Sequence, residues 1–470
     1  MKQLRPRTVM VADLDTFFVS VEMKYRPELR GLPVLLGKSP QHRGIVATCS
    51  YEARALGFKT GMAMFQAYEL IAQLKRQGSA GDDIVCLHDN LHGGYTEHSQ
   101  MVEKVLARSV PVCIAHSIDE FELDLTGCEA YLLRQFGGIV PFARGLVEQV
   151  RDETGLPISI GIGPSRIVAK MASRHAKPNG VFEVLPGSAR AFLGSHAVEK
   201  VPGIGPATTA RLQRLGIERV DELLSKPMVY VRHICGVNLA RLVDMMLRGD
   251  ADSKGYTTRG GYSDGGARAL SDQIALRGDF NGDWATYSPG MSLGNNLRTL
   301  PKSIGHEKTL SHDTTSMEVM ERLVWRLTED AGYRLRAVGL CAREMEVRIR
   351  YSDFHSIGHI GSLREPSDAD TVLFTRAMEL LREALPARKL AVRLLGVRLQ
   401  KLCAGGGQGV LFETREDRRR RELFRTVDKL RDRYGRDTLL IGPGVYKCKR
   451  DAAPPPGTPA EVSLVKFRQG

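Results

Sequence analysis

The sequence predicts a multidomain α+β protein. At 470 residues the chain is too long for one ordinary hydrophobic core, so we expect three or four domains. Short apolar runs typical of buried strands alternate with stretches of helical periodicity. The run 158–163, followed by a helix from Pro164, is one such pair. This alternation indicates sheets with helices over one face.

The predicted elements follow from these runs in chain order. In the first half they are a strand and helix over 9–25, buried strands at 33–37 and 44–49, a strand at 84–88, a helix at 92–109, an acidic hairpin at 112–125, and helices at 132–153 and 164–175 on either side of strand 158–163. In the second half they are a strand entered at 301–309, a helix at 317–331, strands at 344–351 and 392–399, and a charged helix with Leu423, Phe424, Val427 and Leu430 on one stripe.

The composition indicates which binding partners and which cellular compartment to expect. The net charge of +13 favours a polyanion such as nucleic acid, although the protein could simply be basic. The eight cysteines form no CxxC pair and indicate buried thiols in a reducing compartment. The histidines lack metal-ligand spacing, no apolar run could span a bilayer, and no signal pattern precedes the first strand. We therefore expect a cytoplasmic protein that does not bind membranes.

Two acidic motifs carry the candidate chemistry. Asp13 and Asp15 follow an apolar run and, at i and i+2, share a face of a strand. Asp119 and Glu120 lie at the tip of the predicted hairpin. If the strand and hairpin are neighbours, up to four carboxylates converge, and divalent cations such as Mg²⁺ or Mn²⁺ would be needed to neutralise them. Two such ions support phosphoryl transfer. The alternative is a solvated acidic turn.

Two basic motifs could hold phosphates. Tyr51 and Arg54 are three residues apart and share a helix face, where a phenol and a guanidinium can bind a triphosphate. The helix after Pro164 carries Arg166, Lys170 and Arg174 at i, i+4 spacing, with Lys177 just beyond. A solvated basic face is the alternative. Phe17 and Phe18 follow the first carboxylates, and their rings could pack either in the core or against the sugar of a nucleotide.

Other segments suggest contacts to a nucleic-acid backbone. The 201–205 segment has the form of a helix-hairpin-helix turn, in which Gly203 and Gly205 let backbone N–H groups approach a phosphate. In the 344–351 strand, Arg348 and Arg350 alternate with apolar residues and would present their side chains on one face. The glycine-rich 251–290 segment indicates a linker or an insertion.

These motifs, taken in order, resemble the Y-family of translesion DNA polymerases, in its DNA polymerase IV (DinB) branch with an ImuB-like C-terminal tail. The resemblance covers about 10–440. It rests on Asp13 to Glu22, Tyr51 to Arg54, Ser117 to Glu120, Gly161 to Gly180, Lys302 to Gly305 and Arg350 to Phe354. Each motif alone would be weak, and their order makes the match specific.

The resemblance implies a right hand with an added little finger. Its parts would be a palm at 1–25 and 81–188, small fingers at 26–80, a helical thumb at 189–255, a glycine-rich linker at 256–290, an α+β little finger at 291–402 and a tail at 403–470. The short fingers imply loose closure over the base pair, and hence low fidelity and lesion bypass.

The resemblance also implies residue roles. Asp13, Asp119 and Glu120, with the backbone carbonyl of Leu14, would hold two Mg²⁺ ions, for which Mn²⁺ could substitute; Asp15 would not be a ligand. Phe18 would be the steric gate, beside Phe17, and triphosphate contacts would come from Tyr51, Arg54 and Lys170. DNA contacts would come from Gly203, Gly205, Lys302, Arg348 and Arg350, and sliding-clamp contacts from Gln408, Leu411 and Phe412.

We therefore expect a DNA-directed DNA polymerase that uses primer–template DNA and dNTPs, binds a sliding clamp and acts as a monomer. Two alternatives remain at this point. A non-catalytic, ImuB-like DNA- and clamp-binding protein would have lost acidic ligands, whereas Asp13, Asp119 and Glu120 are present. A different two-metal nucleotidyl enzyme, such as a cyclase, would need no grip on a duplex.

Overall fold

The structure is a computed structural model that describes residues 7–78, 83–88, 94–248, 301–385, 390–404 and 415–434. The chain divides into two compact units, Met1–Pro301 and Lys302–Gly470. The glycine-rich 251–290 segment and the clamp-like residues Gln408, Leu411 and Phe412 lie outside the described residues. In the described part of the chain, no helix combines the length and apolar character needed to cross a bilayer.

The first unit contains two sheets and eleven described helices. Its strands are β1 (Val9–Leu14), β2 (Val34–Gly37), β3 (Val46–Cys49), β4 (Val85–His88), β5 (Val112–Ala115), β6 (Glu120–Asp124), β7 (Ile158–Gly163) and β8 (Val181–Glu183). Its helices are α1 (Phe17–Tyr25), α2 (Tyr51–Ala55), α3 (Met64–Arg76), α4 (Tyr95–Ser109), α5 (Glu129–Phe136), α6 (Ile139–Thr154), α7 (Arg166–Ala176), α8 (Ala189–Gly194), α9 (Pro206–Gln213), α10 (Val220–Leu224) and α11 (Met228–Arg248).

The larger sheet has the strand order β5-β6-β1-β7-β8, so β1 is its central strand. Met10 and Ala12 pack in the main core with residues of α4 and α6. Val9 and Val11 point the other way and cluster with Ala169 of α7. The expectation of helices over one face is therefore wrong. An uninterrupted apolar strand is typical of burial on both faces, and α7 supplies the second layer.

Two helix boundaries differ from the prediction. The expected helix 132–153 is split into α5 and α6 by Gly137 and Gly138, whose φ values of 78° and 132° are incompatible with a continuing helix. The helix expected from Pro164 begins at Arg166 instead, because Ser165 caps it: the Ser165 Oγ accepts a hydrogen bond from the backbone N–H of Val168.

The smaller sheet has the order β3-β2-β4, with β4 parallel to β2. A separate apolar cluster joins this sheet to α3 through Met64 and Ala67. The strand predicted at 84–88 thus exists, but it joins the sheet of the preceding segment and not the five-stranded one. The expected boundary between fingers and palm, after residue 80, consequently separates β4 from β2, the strand with which it pairs.

The helices α8 to α11 form a cluster that includes one side of α7. Ile167, Val168 and Met171 of α7 pack with residues such as Leu212 of α9 and Val243 of α11. The segment 228–248 is interrupted at Gly236, which has φ 82° and ψ 175°. The expected 201–205 hairpin leads into α9 as predicted, although a single 3₁₀ turn precedes it and not a full helix.

The second unit is one antiparallel sheet with helices packed on one face. Its elements are β9 (Ser303–Thr314), α12 (Met317–Ala337), β10 (Leu340–Tyr351), β11 (Ser356–Ser367), α13 (Asp370–Ala384), β12 (Val392–Gln400), β13 (Cys403–Ala404) and α14 (Arg415–Tyr434). The main strand order is β11-β10-β12-β9. The predicted alternation in β10 is confirmed, because Val347 and Ile349 are buried in the core while Arg348 and Arg350 lie on the opposite, open face.

The stripe predicted on α14 is half correct. Phe424 and Val427 are buried, but Leu423 and Leu430 are 55% and 40% exposed. Charged residues complete the buried stripe: Asp428 accepts a 2.6 Å hydrogen bond from Arg336 of α12, and Arg431 donates one of 2.8 Å to Glu329. The helix therefore docks through buried ion pairs as well as apolar contacts.

Candidate active site

Asp13 and Glu120 face each other on neighbouring strands. They are register partners in the antiparallel pair of β1 and β6, so the expected adjacency of strand and hairpin is confirmed. The Nζ of Lys170, on α7, contacts the Asp13 carboxylate and lies 2.8 Å from Glu120 Oε2. The two carboxylates are thus close enough to share one cation.

Asp119 lies at the tip of the hairpin beside this pair. Its backbone carbonyl accepts a 2.9 Å hydrogen bond from Leu14 N–H, which ties the tip to the end of β1. Its carboxylate accepts a 2.5 Å hydrogen bond from Ser117 Oγ. Across the residues that the structure describes, no three Asp, Glu, His or Cys side chains are gathered as a ready-made metal group. Instead, the Lys170 ammonium lies between the Asp13 and Glu120 carboxylates, in the position that a bound metal ion would take. An all-oxygen donor set of this kind fits a hard divalent ion.

Asp15 is fully engaged in structural hydrogen bonds. Its carboxylate accepts bonds from Tyr51 Oη at 2.9 Å, Ser159 Oγ at 2.7 Å and the backbone N–H of Asn179 at 2.9 Å. The residue is 1% exposed. The same-face argument that counted Asp15 among the converging carboxylates therefore overcounts.

Tyr51 and Arg54 share a face of α2, as predicted. Ser50 caps this helix, its Oγ accepting a 3.2 Å bond from Ala53 N–H. The Arg54 guanidinium lies over the Tyr51 ring, 5.1 Å from its centroid. Burial, reinforced by the Asp15 carboxylate, raises the pKa of Tyr51 well above its usual range, so the phenol stays a hydrogen-bond donor.

The basic face of α7 is turned toward the carboxylates. Arg166 donates a 2.8 Å hydrogen bond to Glu120 Oε1 and lies 3.5 Å from Glu122. Burial acts to raise the pKa values of Asp13 and Glu120, but the contacts with Lys170 outweigh it, and both pKa values are lowered. Both groups are therefore ionised at neutral pH. At Arg166 and Lys170 the basic face of α7 therefore contacts carboxylates and is not a solvated surface, whereas Arg174 is exposed and donates a hydrogen bond to the backbone carbonyl of Lys200.

Lys177 was expected as part of the basic motif, and in the structure it contacts the Asp13 carboxylate and lies 3.4 Å from Asp15, from the turn between α7 and β8. Sequence reasoning missed Glu122 as a participant. Glu122 is 7% exposed and binds His116 at 2.7 Å. The signal for Glu122 was its i+2 spacing from Glu120, which places both carboxylates on one face of β6.

The two phenylalanines have different environments. Phe17 is 4% exposed and its ring belongs to the main core, while its role as a nucleotide contact stays a prediction. Phe18 is partly buried, and its ring packs edge-on against Tyr95 with centroids 4.7 Å apart. The Phe17 ring packs against the Phe18 ring, with centroids 5.4 Å apart.

The expected DNA contacts are distributed over both units. Gly203 has a φ of 95°, which only glycine adopts readily, and Gly205 precedes α9; both are exposed. Lys302 is exposed at the start of the second unit. On the open face of the second sheet, Arg348 hydrogen-bonds Glu307 at 2.8 Å and Arg350 hydrogen-bonds Ser356 at 2.9 Å.

Comparison with known proteins identifies the fold and the family. The impB/mucB/samB family matches residues 12–174 and its C-terminal domain matches residues 301–411. DNA polymerase IV of Dehalococcoides mccartyi strain CBDB1 is 30% identical over 93% of this chain and 97% of its own. DNA polymerase IV of Halorhodospira halophila is 31% identical over 84% of this chain and 95% of its own.

Among solved structures, a Y-family DNA polymerase chimera of Dbh and Dpo4 matches with a TM-score of 0.64 at 22% identity. The match covers 85% of this chain and 100% of the chimera. This likeness confirms the predicted right-hand fold, and the relatives confirm the predicted family. The chain therefore belongs to the impB/mucB/samB family of Y-family DNA polymerases, which are DNA-directed DNA polymerases.

Proposed function

We propose that this chain adds dNTPs to the 3′-hydroxyl of a primer on a DNA template, by two-metal phosphoryl transfer. Family membership implies primer–template and nucleotide binding and a dependence on divalent metal ions. The observation that carries the proposal is the placement of Asp13 opposite Glu120, within reach of a single cation. The non-catalytic alternative is not favoured, because the relatives are DNA polymerases and the three carboxylates are present.

We assign the metal site to Asp13, Asp119, Glu120 and the backbone carbonyl of Leu14. Oxygen donors of this type suit Mg²⁺ first, with Mn²⁺ as a substitute. When bound, the two ions activate the primer hydroxyl and neutralise the charge that develops on the transferred phosphoryl group. Carboxylates kept ionised by neighbouring cations are prepared for this role at neutral pH.

The cations around the carboxylates are suited to receive the triphosphate. Lys170 and Lys177 are held by carboxylates that the metal ions would occupy, so nucleotide and metal can enter by one exchange of partners. Arg54 lies on the same helix face as Tyr51 and adds a guanidinium. The Tyr51 phenol has one O–H, which it donates to Asp15, so it would donate to a phosphate only by giving up that partner. We assign Phe18 as the steric gate, because it is the partly exposed member of the aromatic pair.

We also propose lesion bypass with low fidelity, because a small sheet such as β3-β2-β4 would offer few contacts with which to inspect a base pair. Contacts to the DNA backbone are assigned to Gly203, Gly205, Lys302, Arg348 and Arg350.

We further propose clamp binding through Gln408, Leu411 and Phe412, a monomeric state and a cytoplasmic location. The seven cysteines of the described residues are free thiols, which supports that location.

Primer extension with Mg²⁺ and the four dNTPs tests the proposal. The wild type should extend the primer, while Asp119→Ala should abolish nucleotide addition and keep DNA affinity nearly intact. Asp152→Ala is the matched control, because that side chain is 72% exposed on α6 and pairs with its neighbour Arg151. Extension by Asp119→Ala at the wild-type rate would refute the metal assignment.

A further inference from the structure

The open face of the second unit's sheet has a depression of about 360 Å³ that contains charges of both signs. Arg348 and Arg398 line it together with Glu307 and Glu346. A surface that binds only polyanions would be expected to carry cations alone. The two acids therefore need an explanation.

Both glutamates hold the arginines directly. Glu346 lies 3.5 Å from Arg348 and 3.6 Å from Arg398. It is 9% exposed and accepts a further 3.0 Å hydrogen bond from Gln400. Glu307 accepts a 2.8 Å hydrogen bond from Arg348. Arg348 is thus held by carboxylates on two sides.

Glycines on the neighbouring strands make room for this arrangement. Arg348 pairs with Gly358 of β11 and with Gly396 of β12. A Cβ at Gly358 would lie 2.7 Å from Glu346 Oε1, and one at Gly396 would lie 2.6 Å from Glu307 Cγ. Either glutamate side chain would have to shift to admit a Cβ, and at Gly358 the obstructing atom is the movable end of Glu346. The two glycines therefore leave open the space in which the glutamates lie across the sheet.

We propose that Glu307 and Glu346 compete with DNA phosphates for Arg348 and Arg398 and so weaken the grip of this face on the DNA backbone. The inference rests on the proposed role of Arg348 in DNA binding. An arginine can pair with a phosphate through its guanidinium fork only when it gives up a carboxylate. Each arginine–phosphate contact then replaces an arginine–carboxylate contact and adds little binding free energy. This exchange favours rapid release of DNA.

Equilibrium binding of the full chain to a fluorescent primer–template, measured by anisotropy over a series of NaCl concentrations, tests this. Glu346→Gln keeps the shape of the side chain and removes the competing charge. It should tighten binding about fivefold at low salt, the effect expected when a partly exposed ion pair is no longer given up. The slope of log affinity against log salt should steepen by about 0.9 for each arginine freed.

Glu318→Gln is the control for net charge, because Glu318 is 69% exposed on α12, on the other side of the sheet. It should leave affinity and slope unchanged. Unchanged or weaker binding by Glu346→Gln would overturn the competition. Arg348→Gln separates the two ideas: wild-type affinity in that variant would refute DNA binding by Arg348 itself, while weaker binding combined with no gain in Glu346→Gln would refute only the competition.

Discussion

Gly161→Ala should separate α7 from the sheet and slow nucleotide addition. Gly161 lies in β7 beneath α7, where a Cβ would fall 2.1 Å from both the carbonyl oxygen of Ala169 and the backbone nitrogen of Ser173. Real Cβ atoms essentially never come within 3.0 Å of a heavy atom outside their own residue and its chain neighbours. Because both obstructing atoms are backbone, the helix and strand must part by about 1 Å to relieve the overlap.

The separation matters because α7 carries the cations of the site. Lys170 lies 2.8 Å from Glu120, and Arg166 lies 2.8 Å from the other oxygen of that carboxylate. A displacement of about 1 Å of catalytic groups can cost about 100-fold in rate. Overpacking should also lower the free energy of unfolding by about 1–3 kcal/mol.

Single-nucleotide incorporation gives kcat and KM, and thermal unfolding gives stability. Gly145→Ala is the matched control: Gly145 lies in α6 with no heavy atom within 4 Å of its added Cβ. That variant should keep full activity and gain up to about 1 kcal/mol from helix propensity. If Gly161→Ala stayed within threefold of the wild-type kcat with an unchanged unfolding temperature, the close packing of α7 would not be what positions the cations.

Two further predictions concern selectivity and partners. Phe18→Ala should admit ribonucleotides, because the ring at the gate position is removed while buried Phe17 still fills the core; unchanged discrimination between dNTPs and rNTPs in the incorporation assay would rule out the gate. Changing Leu411 and Phe412 together to alanine should remove stimulation by a sliding clamp without altering basal extension, and equal stimulation of both proteins would identify the pentapeptide as a chance match.

The local chemistry of the site was readable from the sequence because it depends on short spacings. The apolar run before Asp13 and the hairpin around Asp119 and Glu120 predict neighbouring strands, and the structure confirms them. The alternation that places Arg348 and Arg350 on the open face of the sheet was equally readable. These features need only the period of a strand.

Tertiary contacts were harder to foresee. Periodicity does not reveal that Gly137 and Gly138 adopt left-handed φ values and split a helix. Nor does it show that Asp428 and Arg431, and not Leu423 and Leu430, are the buried members of the α14 stripe. A charged residue becomes a core residue only when a distant partner, here Arg336 for Asp428, is brought to it.

The position of α7 between two cores has a mechanical consequence. One side of the helix rests on β1 through Ala169, and the other side is part of the cluster formed with α8 to α11. Val201 and Ile204 of the 201–205 hairpin belong to the same cluster, so a displacement of this segment must either move α7 or break its packing. If the hairpin holds DNA as proposed, a movement of α7 would also move Lys170, which lies between Asp13 and Glu120.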